Sequence, residues 1–202
     1  MASAPTRIHS HPPVLAGYET ERQWRGHPAL QLPSSIGAWC AVEDRYERLF
    51  DTYYDTRDLH LDRRRARLRL RRAPLYEVAT LKRRVPASKG ERRRIEIEGP
   101  YEGDPEASVA FVAARLLTLE PLLEIGNITT ARTTRVYAHG DRRVEVVRDH
   151  VSYPRGDDEW RVEAEGAAAD VNDLAVHMEK LRLGLQPVRR GKVQTMLRRC
   201  AA

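Results

Sequence analysis

The chain is short of cysteine, lysine and aromatic residues, and it has no long apolar run. Two cysteines in 202 residues, Cys40 and Cys200, give neither a disulfide framework nor a metal-ligand spacing. That excludes the disulfide-stapled secreted classes and leads us to expect a reducing, cytoplasmic setting. No stretch approaches the roughly 18 apolar residues of a membrane-spanning helix. The segment after Met1 also lacks the basic-then-apolar build of a secretory signal, so no membrane partner is expected. Aromatic residues make up 6% of the chain, which leaves little for stacking along single-stranded nucleic acid. Lys82, Lys89, Lys180 and Lys192 are the only lysines among 35 basic residues. The excess of Arg and Ala fits a GC-rich coding background, so the positions of the arginines matter more than their number.

What the chain has is charge, unevenly placed. The net charge is +6, yet Arg63 to Arg94 holds 14 Lys or Arg against two acids, Glu77 and Glu91. Such a segment calls for a polyanionic partner. Met1 to Gly17 is rich in Pro, Ser and His and reads as a flexible tail; a metal role for His9 and His11 is open but disfavoured. Residues 18–199 read as one domain, with neither an internal repeat nor a dividing linker.

Eight segments have the alternation and turn signals of strands: Tyr18–Trp24, Tyr46–Tyr54, Ala66–Arg72, Glu77–Arg84, Arg92–Glu98, Thr130–Ala138, Arg142–Asp149 and Asp158–Glu165. Turns at Ala73-Pro74, Ser88-Lys89-Gly90 and His139-Gly140-Asp141 are short enough to join antiparallel neighbours. Helices are predicted over Asp104–Leu117 and Asp170–Leu183, a shorter one after Pro33, and a helix or turn over Arg189–Arg199. The expected fold is α+β: a closed or nearly closed eight-stranded antiparallel barrel with helices outside.

Alternation also sorts the charges. In ERRRIEIEG, Arg92, Arg94, Glu96 and Glu98 share one parity, opposite Arg93, Ile95 and Ile97. Since alternate side chains of a strand face opposite ways, one face is a row of charges. Arg67, Arg69 and Arg71 oppose Ala66, Leu68 and Leu70. Thr80, Lys82 and Arg84 oppose Ala79, Leu81 and Val85. Glu19 and Glu21 oppose Tyr18 and Trp24, and Glu163 and Glu165 oppose Val162 and Ala164. For a single strand, a solvated charged face is the ordinary reading. Two Glu-x-Glu doublets near the chain's ends favour the inverse, a charged tunnel with apolar surfaces outside. Paired carboxylates one strand-step apart suit a hard divalent cation, and Arg and Lys on neighbouring strands suit phosphate.

These motifs resemble the CYTH superfamily, the triphosphate tunnel metalloenzymes. YETERQW is similar to that family's opening Glu-x-Glu-x-Lys strand. DTYYDTRDLHLDRRRARLRLRR resembles its Tyr-Tyr-Asp-Thr segment followed by a Leu-Arg-x-Arg strand. ATLKRR, ERRRIEIE, RRVEVVRD and WRVEAE resemble the later strands in family order, and RRGKVQ a closing Ser-Lys-Tyr element. The likeness runs from about Tyr18 to Leu197.

The resemblance implies that Glu19, Glu21, Asp149, Glu163 and Glu165 bind one or two Mg²⁺ or Mn²⁺ ions. It implies that Arg69, Arg71, Lys82, Arg94 and Lys192 hold phosphate oxygens, and Arg92 joins them by parity. Arg132 and Arg135 have opposite parity, and Arg135 is assigned to the interior. Glu96 and Glu98 are candidates to hold or orient water, with pairing to arginines as the alternative. The chain departs from the pattern at Gln23, where the family has Lys, and at Gly191 and Val193, where it has Ser and Tyr.

The implied activity is divalent-metal-dependent hydrolysis of a triphosphate: inorganic tripolyphosphate, thiamine triphosphate or a nucleoside triphosphate. An adenylyl cyclase, or a polyphosphate- or nucleotide-binding module with little turnover, are the alternatives. An RNA 5′-triphosphate end is the one nucleic-acid partner kept open, and a homodimer fits the family. Trp24, Trp39, Tyr46, Tyr54 and Trp160 could stack on a ring, although packing is the plainer role for each.

Overall fold

The alternating segments are strands, and most run longer than the sequence pattern suggests. The computed structural model describes residues 15–86, 92–188 and 190–201. In chain order its elements are β1 (Leu15–Arg25), β2 (Ser35–Ile36), β3 (Trp39–Asp55), α1 (His60–Arg63), β4 (Ala66–Arg72), β5 (Glu77–Val85) and β6 (Arg92–Pro100). They continue with α2 (Val109–Arg115), β7 (Leu123–His139), β8 (Arg142–Ser152), β9 (Glu159–Gly166), α3 (Ala168–Lys180), β10 (Gln186–Pro187) and α4 (Lys192–Ala201). The expected Ser88-Lys89-Gly90 turn, His9, His11 and most of the expected tail lie outside the described residues. Among the described residues, no helix is long and apolar enough to cross a membrane.

Eight strands pair in the order β1-β6-β5-β4-β3-β7-β8-β9, and β9 pairs back onto β1. Each of these pairings is antiparallel. The result is the expected closed ring, although it is not evenly round. β1 closes it by changing partner along its length: Leu15–Glu21 pairs with β6, and Thr20–Arg25 pairs with β9. A closed ring leaves no long strand edge exposed.

The apolar faces point outward and are covered by helices. Ala66, Leu68, Ala79 and Leu81 pack with Leu61 of α1 and with Ala110, Phe111 and Ala114 of α2. On the other side Val144, Val146, Val162 and Ala164 pack with Val171, Leu174, Ala175 and Met178 of α3, together with Trp24, Ile36, Trp39 and Tyr137. A third cluster lies on inward-facing positions, where Tyr53, Ile128 and Val151 meet Val193 and Met196 of α4. α4 therefore fills part of one end of the ring. Gly126 on β7 has φ +145, and a Cβ there would lie 2.8 Å from Met196 Sδ, so the close seating of α4 depends on a glycine.

Four local expectations change. Pro33 leads into β2 rather than a helix, because Gly37 takes φ +60 and turns Ile36 back onto Trp39, burying both. α2 starts at Val109, not Asp104: the Asp104 carboxylate accepts a hydrogen bond from the Glu106 backbone N–H at 2.9 Å, which closes a local turn instead of capping a helix. α3 starts at Ala168, ahead of the expected Asp170 cap. β1 starts at Leu15 rather than Tyr18, since residues 15–17 pair with Glu98, Ile97 and Glu96.

Because the helices cover the apolar outside of the ring, Leu174→Ala should cost about 2–5 kcal/mol of stability. Leu116→Ala, at a position 84% exposed, should stay within about 0.5 kcal/mol. Urea unfolding of the two variants checks this directly.

Candidate active site: a charged cavity inside the ring

Inverting the faces leaves a cavity of about 610 Å³ inside the ring. The inward positions supply its walls strand by strand. β1 gives Glu19, Glu21 and Gln23, and β9 gives Glu163 and Glu165. β4 gives Arg67, Arg69 and Arg71, and β5 gives Thr80 and Lys82. β6 gives Arg92, Arg94, Glu96 and Glu98. β3 adds Asp51 and Tyr53, β7 adds Arg132, and the start of α4 adds Lys192. The period-two pattern is what puts so many charges on one concave surface.

Three carboxylates converge. Glu19, Glu21 and Glu165 each offer an oxygen, and these oxygens lie within 4.8 Å of one another. The register explains this: Glu21 sits opposite Glu165 across the β1–β9 closure, and Glu19 is one strand-step further along β1. Three acids this close, drawn from water, repel one another unless a cation joins them. Burial, reinforced by Glu19 and Glu163 and opposed by Lys82, pushes the Glu165 carboxyl up to about 8. Burial also raises Glu21, against the pull of Arg94. Glu21 Oε1 is buried and has no hydrogen-bond partner among the described residues. Glu19 behaves differently: burial would raise it, but Lys82 outweighs burial and holds it at about 2. A hard oxygen donor set with an orphaned oxygen and a proton to lose fits a divalent cation such as Mg²⁺ or Mn²⁺.

Cations face these acids. Lys82 Nζ lies 2.8 Å from Glu19 and 3.1 Å from Glu96, and Arg94 lies 2.5 Å from Glu21. Burial alone would lower Lys82 and Arg94, but the neighbouring carboxylates raise both. Across the cavity, Arg71 donates two hydrogen bonds to Asp51, at 2.7 and 2.8 Å, and Arg69 lies 3.7 Å from it. Burial would raise Asp51, yet these arginines hold it far below the usual carboxylate range. Thr80 donates to Glu98 at 2.6 Å. Gln23 accepts a hydrogen bond from Arg92, which also donates to the Val188 carbonyl at 2.8 Å.

Of the five acids expected to hold metal, three converge and two are engaged elsewhere. Asp149 is fully buried, accepts two hydrogen bonds from Arg132 at 2.8 Å, and lies 2.5 Å from Lys192. Glu163 lies 3.1 Å from Lys192 and 3.9 Å from Arg132. Arg69, Arg71, Lys82, Arg92, Arg94 and Lys192 all line the cavity, as do Glu96 and Glu98.

Arg135 does not face the cavity. Its guanidinium is outside the ring, paired with Asp44 at 2.6 Å and donating to the Leu32 carbonyl. It sits opposite Val146, whose side chain packs under α3, whereas Arg132 sits opposite Asp149. Arg132 is therefore the interior arginine of β7. Sequence reasoning set Thr80 on the charged face without giving it a role, and it passed over Asp51 and Tyr53. Asp51 and Tyr53 alternate within the quoted DTYYDT motif, so parity alone would have set both on one face.

The CYTH domain profile matches residues 18–198. This chain belongs to the CYTH domain family. Among solved structures, HpAC1 from Hippeastrum, described as having a dominant triphosphatase activity, is 16% identical with a TM-score of 0.63, covering 89% of this chain and 95% of its own. A Bacillus halodurans protein named as a candidate adenylate cyclase is 19% identical with a TM-score of 0.61, covering 87% and 95%. PH1819 of Pyrococcus horikoshii is 18% identical with a TM-score of 0.53, covering 89% and 98%. At these identities the likeness is one of fold. Comparison with curated protein sequences returned no match. The CYTH fold accounts for the ring, its outward apolar faces and its charged interior together.

The raised Glu165 generates a pH signature. Its carboxyl moves from the ordinary 4.5 to about 8 on folding without a cation, so between those values the folded CYTH domain holds a proton that the unfolded chain has lost. Glu165's contribution to stability is complete below about pH 4.5 and is lost as pH rises through about 8. A cation at the triad must displace that proton, so the stabilisation added by Mn²⁺ should grow with pH up to about 8 and then level off. Thermal melts with and without excess Mn²⁺ across this range check it; a pH-independent increment would contradict it.

Proposed function

We propose that this CYTH protein hydrolyses a triphosphate in the cavity, with Mg²⁺ or Mn²⁺ held by Glu19, Glu21 and Glu165. One observation carries the reading: a convergent carboxylate triad shares one concave surface with a dense set of cations. A basic cavity alone would suit any polyanion, and an acidic cluster alone would suit any cation. Only their juxtaposition matches a metal–polyphosphate complex. The triphosphatase activity named for HpAC1 is consistent with it.

Bound at the triad, the divalent cation would neutralise phosphate charge and lower the energy of charge developing at the attacked phosphorus. Arg69, Arg71, Lys82, Arg94 and Lys192 bind phosphate oxygens. Each now rests on a carboxylate, so a phosphate entering the cavity exchanges one anionic partner for another and does not meet a naked cation. Arg132 belongs with them, in place of Arg135. In this reading Glu96 and Glu98, which line the same cavity, orient the attacking water. In hydrolysis a water oxygen bonds to the terminal phosphorus while the bridging P–O bond breaks. The leaving chain keeps the electron pair and the water's proton passes to solvent through these carboxylates.

Gln23 does not empty this site of charge. Its amide oxygen accepts from Arg92, and a lysine there would set two cations against each other. Arg92 brings a positive charge to the position where the family places one on β1. This supports turnover over mere binding.

The test is phosphate release from tripolyphosphate, thiamine triphosphate, ATP and GTP, each with Mg²⁺ or Mn²⁺. Glu21→Gln, Glu163→Gln and Arg132→Ala should each lower the rate on the order of 10²-fold. Arg135→Ala, which removes the Asp44 pair and the hydrogen bond to the Leu32 carbonyl outside the ring, should stay within about twofold. Chelator should abolish turnover, and full activity in EDTA would sink the reading. Pyrophosphate in place of orthophosphate from ATP would mean cyclisation.

A further inference from the structure

A second cavity, of about 480 Å³, shares no lining residue with the first among the described residues. α4 separates the two. At 3.6 residues per turn, Thr195, Arg198 and Arg199 fall on one side of this helix and line the second cavity. Lys192, Val193 and Gln194 fall on the other side and line the first. The rest of the wall comes from Arg25 at the end of β1, from Glu159 and Arg161 of β9, and from the segment that leads into α4, including Arg190. The β1–β9 closure sets Arg25 opposite Arg161, and the β1–β10 pairing sets it opposite Gln186.

Five arginines line this cavity, and Glu159 is the one acid that does so among the described residues. That carboxylate is already shared. It lies 3.2 Å from Arg25 and 3.0 Å from Arg161, and it accepts the Tyr153 hydroxyl at 2.9 Å. Burial would raise Glu159, but Arg161 outweighs burial and keeps it ionised. Arg161 itself is 1% exposed. It donates to the Arg190 carbonyl at 3.0 Å and to the Thr195 hydroxyl at 3.1 Å, and its buried Nε has no hydrogen-bond partner among the described residues. Arg199 lies over the Tyr153 ring at 4.4 Å and donates to the Asp157 carbonyl, contacts that leave its charge in place. Arg190 and Arg198 are exposed. One carboxylate against five guanidinium groups leaves a strong positive excess, and the buried part of it is weakly screened.

The accessible arginines come from three separate pieces of chain: Arg25 from β1, Arg190 from the segment before α4, and Arg198 from α4 itself. A carboxylate offers two oxygens in one plane and suits a single guanidinium fork. A tetrahedral oxyanion offers oxygens in four directions and can take forks from three sides at once. An organic body gains little here. Pro187 and Val188 are the apolar residues of the lining, and the Tyr153 ring next to it already carries Arg199.

We propose that this second cavity is an effector site for one orthophosphate ion, held by Arg25, Arg190 and Arg198. An anion bridging these three ties α4 and its leading segment to the β1–β9 wall. Arg161 makes the same tie from beneath, through the Arg190 carbonyl and Thr195. α4 also carries Lys192 into the first cavity, where its ammonium lies 2.5 Å from Asp149 and 3.1 Å from Glu163. Occupancy of the second cavity therefore steadies the helix that presents Lys192 to the first. No chemistry takes place at this site, and the inference does not rest on the hydrolytic reading.

The test is hydrogen exchange of the α4 amides in the intact, metal-free protein, with orthophosphate, sulfate, acetate or chloride at matched ionic strength. At ten times its Kd, an anion that binds only the seated helix slows local opening by about tenfold. Orthophosphate and sulfate should both do so, and acetate should do no more than chloride. The exposed double variant Arg190→Ala/Arg198→Ala should lose the slowing, and Arg198→Lys should keep part of it. Arg69→Met, which removes a cation from the first cavity, should keep all of it. Slowing that chloride or acetate matches, that survives in the double variant, or that falls equally in Arg69→Met would each overturn the proposal. If no triphosphate is turned over, the hydrolytic reading fails, and the exchange rates still decide the second cavity.

Discussion

Inside the ring, carboxylates and guanidinium or ammonium groups serve as one another's counter-ions, and the rest of the structure depends on that match. Taking a charge out of water costs several kcal/mol unless a partner replaces the lost hydration. β1 and β9 bring acids to one wall, and β4, β5 and β6 bring mostly cations to the facing one. Lys82–Glu19 and Arg94–Glu21 are the joints between them, while Arg71–Asp51 ties β4 to β3 and Arg132–Asp149 ties β7 to β8. The triad of Glu19, Glu21 and Glu165 is the place where the match is incomplete. Under the proposed function, a divalent cation arriving with a triphosphate completes it.

An ionic interior cannot also supply the hydrophobic driving force, so the apolar surface is displaced to the outside and divided. α2 and α3 each cover a separate outward patch of the ring, and α4 covers a third patch at one end of the interior. Because no apolar core fills the cavity, water and polyanions have a place to enter. Closure of β9 onto β1 does two jobs. It removes the last open edge, and it carries Glu165 across to Glu21.

Much of this was legible in the chain itself. Parity alone assigned Arg67, Arg69 and Arg71, Lys82, Arg92 and Arg94, and both Glu-x-Glu doublets to shared faces, and each of these residues lines the cavity. It failed at Arg132 and Arg135 because both parities of β7 mix polar and apolar residues: Arg132 has Thr130 and Thr134 beside it, and Arg135 has Thr133 and Tyr137. Only the partners decided the matter, Asp149 within the ring and Asp44 outside it. Asp51 went unassigned because an acid among tyrosines does not stand out until the Arg69 and Arg71 row is seen across from it. The start of α2 was misplaced because Asp104 and Pro105 serve a turn as readily as a helix cap.

The sequence by itself determined the strands, their two-faced character, the resemblance to the CYTH family and the kinds of charge available. Those properties are local: they follow from alternation along one segment and need no knowledge of its neighbours. Only the tertiary structure decided which face is the inside. It also decided that Glu19, Glu21 and Glu165 converge while Asp149 and Glu163 are held by Arg132 and Lys192. The physical reason is that a charge's role depends on what lies within a few ångströms of it. Here those neighbours come from strands far apart in sequence, joined by the β1–β9 closure and the β7–β8 register.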